Sequence, residues 1–425
     1  MFIRLTGRCQ IYCFAIVKWT YMTKNIFMLA TSLFLFQFSQ SQGILNRVKN
    51  KVTDKGNQKV DNATDKALDK ADDATRKQGT ASTEQTNSNP GTNTSSTTNA
   101  TNTEGPSIKS YQNYDFIPGD KILFEDNFSQ EQDGEFPSQW ELEAGQAVMN
   151  KLNGEPAFYL TEGNYVRVSP RIKQKPYLTD PFTVEFDYYI KDGGQYGALV
   201  LFKAGEDKEV DIHFNENGEV STSNFDKDFS AEYPDRDNNN FYGKWHHAAM
   251  IYKNGQIKCY LDQYRILVMP NTNVKPYTLE IGGIGSQDAP IIFKNVRIAS
   301  GGGANMIGKK FTDAKIVTHG INFDVDKATI RPESMGTLNM IVQVMKDNPE
   351  IKFEIDGHTD NSGTTAHNLE LSQHRADAVK TQLISMGVDA SRLSSKGFGD
   401  TKPIAPNENA DGKANNRRVE FVKQQ

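Results

Sequence analysis

The chain has 425 residues, with 48 Lys and Arg set against 53 Asp and Glu, and a formal net charge of −5. A balance that mild argues against nucleic acid or an acidic lipid surface as a partner. Of the three cysteines only Cys259 lies beyond the amino-terminal segment, which excludes an internal disulfide framework.

At the amino terminus Lys24 precedes an apolar run from Ile26 to Phe38, and Ser39-Gln40-Ser41-Gln42-Gly43 follow. Residues 1–41 read as a secretory signal peptide, with small residues suited to cleavage after Ser41 and with Met22 as the more natural start. The run is thirteen residues long, short of the roughly 20 that a membrane span needs. No cysteine follows it, so a lipoprotein anchor is not expected.

Residues 42–78 form a charged spacer. Within it VTDKGNQKVDN (52–62) and ATDKALDKADD (63–73) are two copies of an eleven-residue repeat, a period that suits a nearly straight helix or a right-handed coiled coil. Large apolar residues are scarce and Gly56 weakens the first copy, so a solvated, partly helical spacer is favoured. Residues 79–119 make a Thr/Asn/Ser linker; Gly79 to Pro106 holds no aromatic residue, and disorder is expected there.

From 120 to 302 the texture changes to short alternating strands, such as Phe182–Ile190, Glu209–Phe214 and Ile291–Ile298, with Asn-Gly and Gly-Gly turns between them. That spacing predicts an antiparallel β-sandwich. Trp245-His246-His247-Ala248-Ala249, then Asn254-Gly255 and Ile257 to Asp262, resemble the hairpin of concanavalin-like, laminin-G-type jelly rolls. In that hairpin Trp245 packs and Asn254-Gly255 makes the tight turn. Glu209, Asp211 and His213 share one strand face and resemble the E-x-D-x-E strand of jelly-roll glucanases. A retaining hydrolase needs two carboxylates about 5–5.5 Å apart, and His213 stands where the second would be. A polar strand edge is therefore favoured over catalysis. Asp262 and the acidic loops would admit calcium, as in some relatives, without requiring it.

In residues 303–425, Pro332 begins a helical stripe of Met335, Leu338, Ile341, Val342 and Met345 that Asn348-Pro349 stops. Ile351 to Asp356 alternates as a half-buried strand. Leu369, Ser372, Ala376, Val379, Leu383 and Met386 make a second helical stripe, ended by Gly387, and Val419 to Val422 alternate again. Strand, helix, strand, helix, strand predicts a two-layer α/β domain. Asp360 falls in the loop after the second strand, and Asn368 and Arg375 share one face of the following helix. On residue types alone, a structural Asp360–Arg375 salt bridge is the favoured reading. His358, His367 and His374 fit no zinc spacing, and no metal is expected.

Gly357-His358-Thr359-Asp360, Asn368, Leu371 to Ala376, and Asn416 to Glu420 resemble, in that order, the OmpA-like peptidoglycan-binding domain, from about Ile316 onward. The resemblance implies that Asp360 takes the ammonium and Arg375 the carboxylate of diaminopimelate in the peptidoglycan stem peptide. It implies help from Asn368 and Thr359, a pocket wall at Phe323 and Asp324 in a first-strand motif, and a closing motif with Arg417 and Arg418. No barrel-like strand series precedes it, a departure from the barrel-bearing members.

Together the resemblances imply an all-β jelly-roll sandwich followed by a βαβαβ-type domain. The expected protein is a tether in the periplasm or outer membrane of a Gram-negative envelope, with no cofactor, and its sandwich offers a second surface to glycan or protein. The alternative is an envelope glycosidase on a cell-wall anchor.

Overall fold

The computed structural model describes residues 108–424, apart from 192–193, 195–196, 206–207, 235–240, 304–307 and 309. The signal peptide, the repeat spacer and the linker as far as residue 107 lie outside the described residues.

Alternating sequence builds the first region. Its strands are β1 (Lys121–Asp126), β2 (Trp140–Leu152), β3 (Glu155–Pro170), β4 (Phe182–Ile190), β5 (Ala198–Lys203), β6 (Glu209–Phe214), β7 (Glu219–Ser223), β8 (Ser230–Glu232), β9 (Trp245–Lys253), β10 (Gln256–Leu261), β11 (Tyr264–Met269), β12 (Thr278–Gly285) and β13 (Ile291–Ser300). They pair antiparallel in the order β11-β10-β9-β4-β13-β3-β12-β5-β6-β7-β8, with β1 on β13 and β2 on β3. The long strand β3 changes partner along its length: Phe158–Leu160 pair with β13 and Val166–Val168 with β12. Gly163 and Tyr165, both at positive φ, let the chain bend between those two stretches. Phe182, Val184, Phe186, Tyr188 and Ile190 point to one side of β4 and are almost fully buried in the main core. Asn254 (φ 50°) and Gly255 (φ 73°) join β9 to β10 in a two-residue turn with both central angles positive, the geometry that sequence favours.

The second domain runs through β14 (Lys315–Thr318), a 3₁₀ turn at Pro332–Ser334, α1 (Met335–Asp347), β15 (Lys352–His358), α2 (Thr365–Ser385), β16 (Leu393–Gly399), α3 (Ala410–Asn416) and β17 (Val419–Gln424). The sheet order is β14-β17-β15-β16. β15 and β16 are parallel, which requires the α2 crossover between them; the other pairs are antiparallel. Leu338, Ile341 and Met345 of α1 and Ala376, Val379 and Leu383 of α2 form one cluster with Phe353, Ile355 and Phe421 of the sheet. The first strand is Lys315–Thr318, upstream of the expected motif. Phe323 lies instead in a loop, bridged singly to Ile330.

The linker ends earlier than the sequence reading placed it. Ile108–Tyr111 form a 3₁₀ turn, and Tyr111, Tyr114 and Phe116 are at most 2% exposed. The Tyr114 and Phe116 rings meet Tyr260 of β10 edge-on, Tyr111 meets Tyr114 in the same way, and all three share a cluster with Met335 and Leu338 of α1. Each buried aromatic contributes about 1.5–3 kcal/mol, enough to order a short segment that polar residues alone leave free. Gly336 lets α1 lie on this segment, since an added Cβ would stand 1.8 Å from the Phe116 carbonyl oxygen. The second domain also covers the outward side of β4, where Glu185 and Asp187 are buried. There Asp187 receives Arg331 (3.3 Å) and His247 (2.7 Å). Among the described residues no helix is long and apolar enough to cross a membrane.

Candidate functional site

The site begins where β15 ends. Asp360 folds its own loop, because Oδ1 accepts the Ser362 N–H at 2.8 Å, a turn that aspartate makes readily. Thr364 caps α2, accepting the His367 N–H. Asn368, 4% exposed, donates from Nδ2 to the Asp360 carbonyl at 3.1 Å and so ties loop to helix. Thr359 is also buried; its N–H donates to Gly399 at 3.0 Å, while its hydroxyl has no partner among the described residues. The Asp360 carboxylate faces Arg417, with Nη1 2.5 Å from Oδ2. Burial pushes this carboxyl up, but Arg417 and the Ser362 N–H outweigh it, and it stays below the usual carboxylate range.

Arg375 is placed differently. Its Nε donates to the Lys327 carbonyl at 2.9 Å and Nη2 reaches the Asp324 carbonyl at 3.5 Å. The guanidinium lies 4.9 Å above the Phe323 ring. These contacts fix the 322–331 loop against α2, with His367 adding a 2.7 Å contact to Asp326. Asp324 thus serves through its carbonyl, while its carboxylate stands 3.9 Å from Lys327. Burial draws the Arg375 guanidinium below its usual range; Arg417 adds to this, and Asp326 and Asp360 oppose it. Asp360 and Arg375 therefore sense each other's charge without pairing. The salt bridge favoured on residue types alone does not form: each of the two side chains has taken other partners.

Residues 322–417 match the OmpA family. The C-terminal domain is an OmpA family domain. Over 102 residues the chain is 44% identical to the probable lipoprotein YiaD of Escherichia coli K12, covering 24% of this chain and 47% of the relative. Over 102 residues it is 38% identical to the peptidoglycan-binding protein ArfA of Mycobacterium tuberculosis H37Rv, covering 24% and 31%. Both matches thus span less than half of the relative's length. Among solved structures, the peptidoglycan-associated lipoprotein from Burkholderia pseudomallei shares 29% identity over 27% of this chain and 94% of its own, with a TM-score of 0.24.

The two arginines that close the OmpA domain separate. Arg417 faces Asp360, whereas Arg418 is 5% exposed and donates to Glu420 at 2.7 Å and to the Lys402 carbonyl at 3.1 Å. Neighbours at the start of a strand point to opposite sides, so the structure does not bring Arg418 to the others. Glu420, Asp356 and His358 each offer a ligand atom within 4.8 Å of one another. Glu420 already holds Arg418 and Lys315, each at 2.7 Å, so a divalent ion would enter beside two cations. His367 and His374 lie apart from this cluster on α2. Asn416 is a staple: its Oδ1 accepts the N–H groups of Ile404 and Ala405 at 2.8 and 3.0 Å.

In the β-region, Asp211 accepts from Ser223 (3.1 Å) and Asn224 (2.8 Å), and His213 contacts the same Ser223 at 3.1 Å. Burial holds the His213 ring below its usual range, favouring the neutral form. Asp262 is occupied by the His246 ring at 2.8 Å and the His247 N–H at 3.0 Å. Trp245 is not a core residue. It lies half-buried on the outer face, edge-on to Tyr189 at 5.6 Å with Lys294 4.3 Å above it. Among the described residues the fully buried tryptophan is Trp140, whose Nε1 donates to Asp126 at 2.9 Å.

Glu125 of the β-region also reaches this cluster. Arg417 is shared with Glu125 of β1, 292 positions away, with Nη2 2.5 Å from Oε1. No local pattern signals that contact, because Glu125 reads as an ordinary strand-edge charge.

Proposed function

We propose that this is an exported envelope protein whose OmpA domain binds peptidoglycan non-covalently. Asp360 takes the ammonium and Arg375 the carboxylate of the diaminopimelate residue in the stem peptide. The observation that carries this reading is a pair of opposite charges on one loop-helix unit, each held by other partners and not neutralised by the other. Asn368 fixes the loop, Phe323 and the 322–331 loop form one wall, and Arg417 orients the Asp360 carboxylate. The planar fork of Arg375 suits a carboxylate in a way a lysine cannot copy.

A hydrogen bond to a charged group is worth about 1.5–3 kcal/mol net, so two of them give modest affinity. A polymer that repeats its ligand compensates through rebinding. Such a site suits a tether between a cell-envelope protein and the wall. The β-region we read as a concanavalin-like jelly roll offering a second surface to glycan or protein.

Co-sedimentation with diaminopimelate-type sacculi tests the proposal. Wild type pellets with the sacculi, and Asp360→Ala and Arg375→Ala stay in solution while remaining folded. Both variants pelleting like wild type would retire the assignment.

A further inference from the structure

Arg417 stands at the boundary between the two folded regions. One arm of its guanidinium meets Asp360 of the OmpA domain and the other meets Glu125 of β1. Glu125 is rigidly placed. It is the cross-strand partner of Arg297 on β13, and Oε2 accepts from Arg297 Nε at 2.9 Å. Asn415 of α3 grips the backbone of β1 next to it, accepting the Ile122 N–H at 3.0 Å and donating to the Ile122 carbonyl at 2.9 Å. Arg297 continues to Glu185 at 3.6 Å and donates to the His319 carbonyl and the Asn322 side chain, both at 3.1 Å. The charges alternate as Asp360, Arg417, Glu125, Arg297, Glu185, and Glu185 lies 3.8 Å from His247.

We propose that Glu125 is a positioning residue of the wall-binding site, contributed by the β-region: by sharing Arg417 it keeps the Asp360 carboxylate short of full neutralisation and open to the ammonium of the ligand. The inference rests on the proposed wall-binding role of Asp360. Without Glu125 the fork of Arg417 would turn wholly onto Asp360 as a two-bonded pair, the stronger geometry for this partnership. The ligand's ammonium would then compete with a fully committed cation. With Glu125 present, Arg417 spends one arm on each carboxylate, and Asp360 keeps acceptor capacity for the ammonium of the ligand. Glu125 suits this task because Arg297 and Arg417 together, working against burial, pull its carboxyl down to about 2 and keep it ionised. The β-region is thus part of the binding site and not merely cargo on the anchor.

The test uses the full chain and two soluble muropeptides, one with the diaminopimelate amine free and one with that amine acetylated. Wild type prefers the free amine. Glu125→Gln weakens binding of the free-amine muropeptide roughly fivefold to tenfold, the size of a typical coupling between contacting charges. It leaves the acetylated one, held through Arg375, nearly unchanged. Glu125→Asp keeps the charge and most of the preference, an arm that stays informative if the glutamine variant folds poorly. A Glu125→Gln protein with the wild-type preference overturns the proposal. So does an equal loss on both muropeptides together with no recovery in Glu125→Asp, since that is the signature of a structural contact alone. Asp360→Ala separates the two readings: loss of the preference there, with Glu125→Gln unaffected, sinks only the role of Glu125. An Asp360→Ala protein that binds like wild type sinks both.

Discussion

Asp360 and Arg375 sit on one loop-helix unit, and each is held by a partner other than its neighbour. The order of Gly357 to Asp360, Asn368 and Arg375 marks a loop and a helix face that must meet, because α2 directly follows the loop. What the sequence could not give was the choice of partners. Arg375 settles on the Lys327 and Asp324 carbonyls and Asp360 on Arg417, contacts that span 48, 51 and 57 positions. Arg375→Lys should bind sacculi at least several-fold more weakly in a pull-down, since one ammonium cannot hold two carbonyls and a ligand carboxylate together. Asn368→Ala should cost about 1–3 kcal/mol in a chemical melt, because it leaves the buried Asp360 carbonyl unpaired. With the Asp360 carboxyl held below its usual range, sacculus binding should stay level from about pH 7 to about pH 5 and fail only in stronger acid. A fall within that interval would point to another group.

At the scale of elements, periodicity did most of its work where one face is buried and the other is wet. The alternation of Phe182–Ile190 and of Glu209–Phe214 marks each strand from end to end. The helix after Pro332 first makes a 3₁₀ turn, a detail that apolar spacing does not encode. The short β14 and α3 carry too few apolar residues to announce themselves, and β16 (LSSKGFG) is broken by glycines. The linker ends about a dozen residues before position 119, because Tyr111, Tyr114 and Phe116 change the composition abruptly and are buried. Phe116→Ala should cost about 3–5 kcal/mol, as for other large core truncations, and thermal melting will show it. Gly336→Ala should also destabilise, against the usual helix preference for alanine, because the new methyl meets the Phe116 carbonyl. An alanine variant as stable as wild type would mean that α1 does not rest on this segment.

For the whole molecule, the outer face of β4 is the feature that sequence alone could not interpret. Glu185 and Asp187 occupy alternate positions of β4, and both are buried beneath the OmpA domain, where Asp187 joins Arg331 to His247. Burial opposes protonation of His247, but the Asp187 carboxylate outweighs it and raises the pKa to about 9. A group raised on folding stabilises fully below its unfolded value, near 6.5, and that contribution is lost as pH rises through about 9. The melting temperature should therefore fall between about pH 6.5 and about pH 9, and His247→Gln should flatten that slope. The β-region and the OmpA domain share a charge network that reaches the Asp360 loop. Sacculi of two chemistries test most directly whether the OmpA domain reads both ends of a zwitterion. Sacculi with diaminopimelate at the cross-link position should retain the purified chain roughly tenfold better than sacculi with lysine there, which lack the second carboxylate. Equal retention on both would contradict the account.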